Sequence, residues 1–138
     1  MADTITRVEH YTAPIADQPG AGAKVLSALQ AGGADLIGLW GYPMGSGQAN
    51  LELVPKNGAA LRRAARKAGV NISPKQTAVL VQGKDRPGAL AGIMGKLGAA
   101  GINVHAVQAA CAGGGKFGAI LYFLPADVRK AARVLGAK

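Results

Sequence analysis

The sequence predicts an α/β (α+β sandwich) fold of two ferredoxin-like βαββαβ modules in tandem, the second lacking its last strand. Three observations lead there. A short motif, Asp-x-Pro-Gly-Ala, occurs twice, at Asp17–Ala21 and Asp85–Ala89. Later glycines repeat at the same offset: Gly33 with Gly101, and Gly45 and Gly47 with Gly113 and Gly115. The same succession of helix and strand patterns follows each motif, as expected of a duplicated supersecondary unit. The modules are expected at residues 1–73 and 74–138.

Each module opens with a β-rich run, Thr4 to Ile15 or Gln76 to Gln82. The motif then leads into an amphipathic helix. Gly22, Val25, Leu26 and Leu29 form one apolar stripe, and Leu90, Ile93, Met94 and Leu97 form the other. Asp17 and Asp85 are expected to cap these helices, with Pro19 and Pro87 in the first turn. Gly32-Gly33 and Gly101 end them. Strands are expected at Asp35 to Tyr42 and Asn103 to Ala109. A glycine turn joins each to a second strand, Ala49 to Val54 or Phe117 to Leu124. A second helix follows, with stripes Leu61, Ala64, Ala65, Ala68 and Val128, Ala131, Ala132, Leu135. Val70-Asn71-Ile72 is expected to add a short strand to the first module. The apolar runs Leu36–Trp40 and Ile120–Leu124 predict burial on both faces, and hence a homodimer or higher homo-oligomer.

Composition narrows the function. Of 138 residues, 49% are hydrophobic and only 4% aromatic, so the core is aliphatic. The lone Cys111 excludes an intrachain disulfide and a cysteine-rich metal site. No apolar run reaches the roughly 20 residues that span a bilayer. The polar start, Met1-Ala2-Asp3-Thr4, lacks a signal-peptide pattern. A cytoplasmic protein without membrane contact is expected. The formal charge is +9, with Arg62, Arg63, Arg66 and Lys67 on one helix and Arg129, Lys130 and Arg133 on its counterpart. These faces are either solvated or dock an acidic protein partner. Nucleic acid is disfavoured, because Tyr122 and Phe123 alternate faces and form no stacking platform. No nucleophile–base pair or metal cluster is visible, so no catalytic residue, metal or cofactor is expected. His10 and His105 stand alone in strands.

The stretch Ala78–Leu90, with Asp85-Arg86-Pro87-Gly88, leads into Leu97–Val104 with Gly101-Ile102-Asn103-Val104. It resembles the start of an ACT domain, and the first copy repeats the pattern more weakly. The whole chain is similar to small tandem ACT proteins. The resemblance implies a regulatory protein that binds a small molecule, an amino acid in the usual case, near a module or subunit interface. Carried over by position, the binding residues are Asp85, Arg86, Pro87, Gly88, Ala89 and Asn103, and in the first copy Asp17, Gln18, Pro19, Gly20 and Asp35. The residue chemistry fits. A helix N-terminus offers N–H groups to a carboxylate. Asp85 can face an ammonium, and Asn103 can serve either group. Gly83 stands where some amino-acid-binding members have a histidine. Gln18 and Asp35 replace Arg86 and Asn103 in the first copy. The motif could equally be a plain helix start, and Asn103 and Asp35 plain turn residues.

Overall fold

The first strand, β1 (Thr4–Ala16), is thirteen residues long and serves two cores. In this computed structural model, which describes residues 3–138, Tyr11 and Ala13 point into one hydrophobic cluster and Ile5 packs against another. The chain accordingly forms two compact units. The inner unit is Glu9–Gln76, and the outer is Thr77–Lys138 together with the chain up to Val8. These limits differ from the expected 1–73 and 74–138. The cause is β1, whose first residues join the later part of the chain.

The inner unit continues through α1 (Ala21–Ala31), β2 (Leu36–Gly45), β3 (Gln48–Pro55) and α2 (Gly58–Ala68). Its strand order is β2-β3-β1, all antiparallel. The β2–β3 hairpin closes on Ser46-Gly47, both at positive φ (56° and 77°), which matches the right-handed twist of the flanking strands. The core is Tyr11, Leu29, Leu53 and Leu61 with Ala64 and Ala65, and the partly buried Val25 and Leu26 pack on it. The two helix stripes thus face the sheet as expected. Ala68, predicted in the second stripe, is exposed.

The outer unit holds β4 (Gln76–Lys84, whose first residue falls in the inner unit), α3 (Ala89–Ala99), β5 (Ala106–Gly113), β6 (Lys116–Tyr122) and α4 (Val128–Leu135). Within it the order is β1-β4-β6-β5, so Thr4–Val8 occupies the edge that a last strand would fill. Among the described residues no strand follows α4. The Lys138 N–H instead donates to the Ile5 carbonyl (3.1 Å), and the Lys138 carbonyl accepts from the Arg7 N–H (2.9 Å). Gly114 and Gly115, at φ 69° and 72°, repeat the hairpin geometry of the inner unit.

Several expectations change. Val70-Asn71-Ile72 is irregular and not a strand. Gly69, at φ 68°, ends α2, and the Val70 N–H turns back to the Ala65 carbonyl (2.9 Å). Neither Asp17 nor Asp85 caps a helix. The N-caps are Gly20 and Gly88, left-handed at φ 85° and 76°, with no side-chain hydrogen bond, and Pro19 and Pro87 lie before the first helical turn. The expected burial on both faces holds for most of Ile120–Leu124, in and just after β6. It fails for β2, an edge strand with Ile37 and Leu39 exposed. Among the described residues no helix is long and apolar enough to cross a membrane.

Candidate functional site

In the outer unit the chain leaves β4 at Lys84, turns through Asp85–Gly88 and enters α3. The turn is held by the Asp85 N–H donating to the Gly115 carbonyl (2.9 Å) and the Ala89 N–H to the Arg86 carbonyl (3.3 Å). A groove of about 460 Å³ opens beside it. Asp85, Arg86, Gly88 and Ala89 line one side, and Ala109, Ala110 and Cys111 of β5 line the other. The structure therefore gathers four of the six predicted residues of this copy. Pro87 shapes the turn but is not among the lining residues. Asn103 is exposed in the link before β5, whose first residue is Ala106, and lies outside the groove as well.

Charge in the groove is already partnered. Arg86 donates from Nη2 to Asp3 Oδ2 (3.1 Å), and from Nη1 to Asp3 Oδ1 (3.2 Å) and the Lys84 carbonyl (2.8 Å). Its guanidinium carbon stands 5.9 Å from the centre of the Phe117 ring. The Asp3 hydrogen bonds raise the Arg86 pKa further, outweighing an opposing desolvation, and the Asp3 charge adds a lesser push in the same direction. The Cys111 thiol is hydrogen-bonded to Asp85, and that bond, more than burial, pushes its pKa up. A thiol so held stays protonated and is a poor nucleophile. Gly88 is needed for its backbone: a Cβ there would meet nothing within 4 Å, but φ is +76°. Gly88→Ala is expected to cost about 1–2 kcal/mol from left-handed strain, read as a lower urea midpoint at unchanged slope.

The inner copy is arranged differently. Gln18, Pro19 and Gly20 line a groove of about 780 Å³ with Lys24 and residues 68–71. Asp35 lines a separate hollow beside Leu36 and Leu39, and its carboxylate pairs with Lys56 at 3.2 Å. Asp17 is exposed and lines neither. The five predicted residues of this copy are thus not brought together.

A second polar centre lies in the inner unit that the sequence reading missed. Glu52 is only 5% exposed, on the sheet face opposite the Leu53 core. Its carboxylate accepts from Thr12 Oγ1 (2.9 and 3.0 Å) and Tyr42 OH (2.9 Å), and lies 3.2 Å from His10 Nδ1. An ionised carboxylate only accepts, so Nδ1 carries the proton. Gln76 Nε2 donates in turn to Thr12 Oγ1 (3.1 Å), and Tyr42 stacks on Trp40 with ring centres 4.6 Å apart. Burial acts to raise the Glu52 pKa, but the hydrogen bonds from His10, Tyr42 and Thr12 together outweigh it and hold the carboxyl below its usual range. Partial alternation along β1 and β3 is the available signal. Without the register, which sets Thr12 opposite Glu52 and Glu52 opposite Trp40, those residues could not be joined. Among the described residues no group of three or more His, Cys, Asp or Glu side chains could hold a metal ion.

Comparisons with known proteins agree with this architecture. The chain is similar in structure to a protein from Bacteroides thetaiotaomicron, with TM-score 0.80 and 17% identity over 96% of this chain and 88% of the other. It is similar to the ligand-free regulatory subunit of aspartate kinase from Thermus thermophilus, with TM-score 0.66 and 16% identity over 99% and 95%. The Thermus flavus regulatory subunit matches with TM-score 0.53 and 20% identity over 98% and 94%. At such identities the shared feature is the fold. None of the curated protein sequences matches this chain. The ACT domain family model matches residues 77–137, so it is the outer unit's stretch, with its Asp85–Ala89 groove, that carries the ACT pattern.

Proposed function

We propose that this chain is a non-catalytic regulatory protein that binds an amino acid in the outer groove. One observation carries the reading: Asp85, the uncapped start of α3 and the small apolar wall Ala109-Ala110 face one hollow. An acceptor for an ammonium, N–H groups for a carboxylate and room for an apolar side chain suit that ligand class. The match of residues 77–137 to the ACT domain and the likeness to aspartate kinase regulatory subunits support it. The inner copy, with Asp35 neutralised by Lys56, is proposed not to bind. A homo-oligomer is proposed through β2, an edge strand exposing Ile37, Leu39 and Met44.

Thermal melts against the twenty amino acids test this. A ligand at about 100 times its dissociation constant adds about 2.7 kcal/mol. One class of amino acid is expected to raise the midpoint, with Asp85→Asn abolishing the rise and Asn103→Ala keeping it. The reverse pattern would place the site at Asn103 instead.

A second reading rests on the helices. None of the four contains an acidic residue, and Arg62/Arg66, Arg63/Lys67 and Arg129/Arg133 repel at i, i+4. Such faces suit an acidic protein partner. Arg62 is engaged by Glu9 and Tyr11, so the informative variant is Arg63→Glu/Arg66→Glu/Lys67→Glu. It is expected to abolish docking and leave amino-acid binding intact, as read by co-sedimentation and melts.

A further inference from the structure

We infer that Arg86 joins the N–H groups at the start of α3 in binding the ligand carboxylate, and that the chain's own Asp3 occupies Arg86 until that carboxylate displaces it. The inference rests on the amino-acid reading above. Both guanidinium nitrogens of the pair are used: Nη1 and Nη2 meet Oδ1 and Oδ2 at 3.2 and 3.1 Å, the forked geometry in which arginine takes a carboxylate. Phe117 lies behind the guanidinium as a flat apolar support. Arg86 itself lines the groove, so a ligand there meets the residue that Asp3 engages.

Gly83 gives the second, independent observation. A Cβ at Gly83 would stand 2.0 Å from Asp3 Oδ1 and 3.2 Å from Phe117 Cε1. Its φ does not require glycine, so its small size has another use, namely room for the Asp3 carboxylate. The Asp3 side chain is 13% exposed and that of Arg86 42%, so the pair is neither buried beyond exchange nor free in water. Asp3 adjoins Thr4, the first residue of the strand stretch that belongs to this unit. Displacing Asp3 therefore frees the start of that strand, and ligand binding gains a structural consequence.

The test titrates the full chain with each of the twenty amino acids, and with the carboxamide of any that binds, by calorimetry. Asp3→Asn is expected to tighten the amino acid about threefold, since exposed ion pairs are worth little individually. Gly83→Ala is expected to do the same by expelling Asp3. Neither is expected to change carboxamide binding, and Arg86→Gln is expected to weaken the amino acid at least tenfold. Equal affinity in wild type and Asp3→Asn would overturn this inference while leaving the groove as the site. So would unchanged binding in Arg86→Gln. No binding by any amino acid to either wild type or Asp3→Asn would overturn the proposed function and this inference with it.

Discussion

Glu52→Ala is expected to destabilise the protein by about 3 kcal/mol, because it leaves the buried His10 donor and the half-buried Thr12 and Tyr42 donors without their shared acceptor. Urea denaturation gives the loss directly, and the inner unit should show it in near-ultraviolet circular dichroism, since Trp40 stacks on Tyr42. The same cluster sets an acid limit. The Glu52 carboxyl is held below its unfolded value, so its contribution is complete above about pH 4.3, the unfolded carboxyl range, and falls away as pH drops through the folded value. Glu52→Gln is expected to flatten the wild-type loss of stability below about pH 4.3, at a lower overall stability. A variant as acid-sensitive as wild type would show that other carboxylates set the limit.

Gly32→Val is expected to cost about 3 kcal/mol through overpacking. Gly32 follows α1 and lies against Ala64 of α2. A Cβ there would stand 2.8 Å from Ala64 Cβ and 2.9 Å from Ala64 Cα. Backbone cannot step aside as a side-chain tip can, so the helices must separate over Leu29 and Leu61. Gly92, inside α3, is the matched contrast. A Cβ there meets nothing within 4 Å, and Gly92→Ala is expected to stabilise by about 0.5–1 kcal/mol through helix propensity alone. Opposite signs for the two substitutions in urea melts would separate close packing from helix propensity.

The parts of the fold legible in the sequence were local. Helical periodicity named Leu29, Leu61, Ile93 and Leu97, and all four are buried. Paired glycines marked both hairpins. Errors arose where one residue type serves two purposes. In Asp-x-Pro-Gly the sequence points to the aspartate as the cap, whereas Gly88, at positive φ, stands at the helix start and Asp85 faces the groove. The sequence pattern puts Asn103 at the head of β5. The Ile102 N–H is drawn back to the Leu97 carbonyl (2.9 Å), and the strand starts only at Ala106. Long-range pairing was out of reach altogether. Nothing in the alternation of Thr4 to Ile15 tells that its first residues serve a different core from its last, or that Asp3 will meet Arg86.

The division of β1 orders events during synthesis. Thr4–Val8 leave the ribosome well before the strand they flank, β4, which begins on the order of seventy residues later, and at roughly 5–20 residues per second this is a wait of several seconds. Glu9–Gln76 meanwhile contains everything its own core requires and can close early. The nascent chain thus carries a short, unpaired edge until β4 emerges, a window in which a chaperone or a neighbouring nascent chain can reach it. Sequence changes at Thr4–Val8 should therefore alter the yield of folded protein more than the stability of the finished molecule.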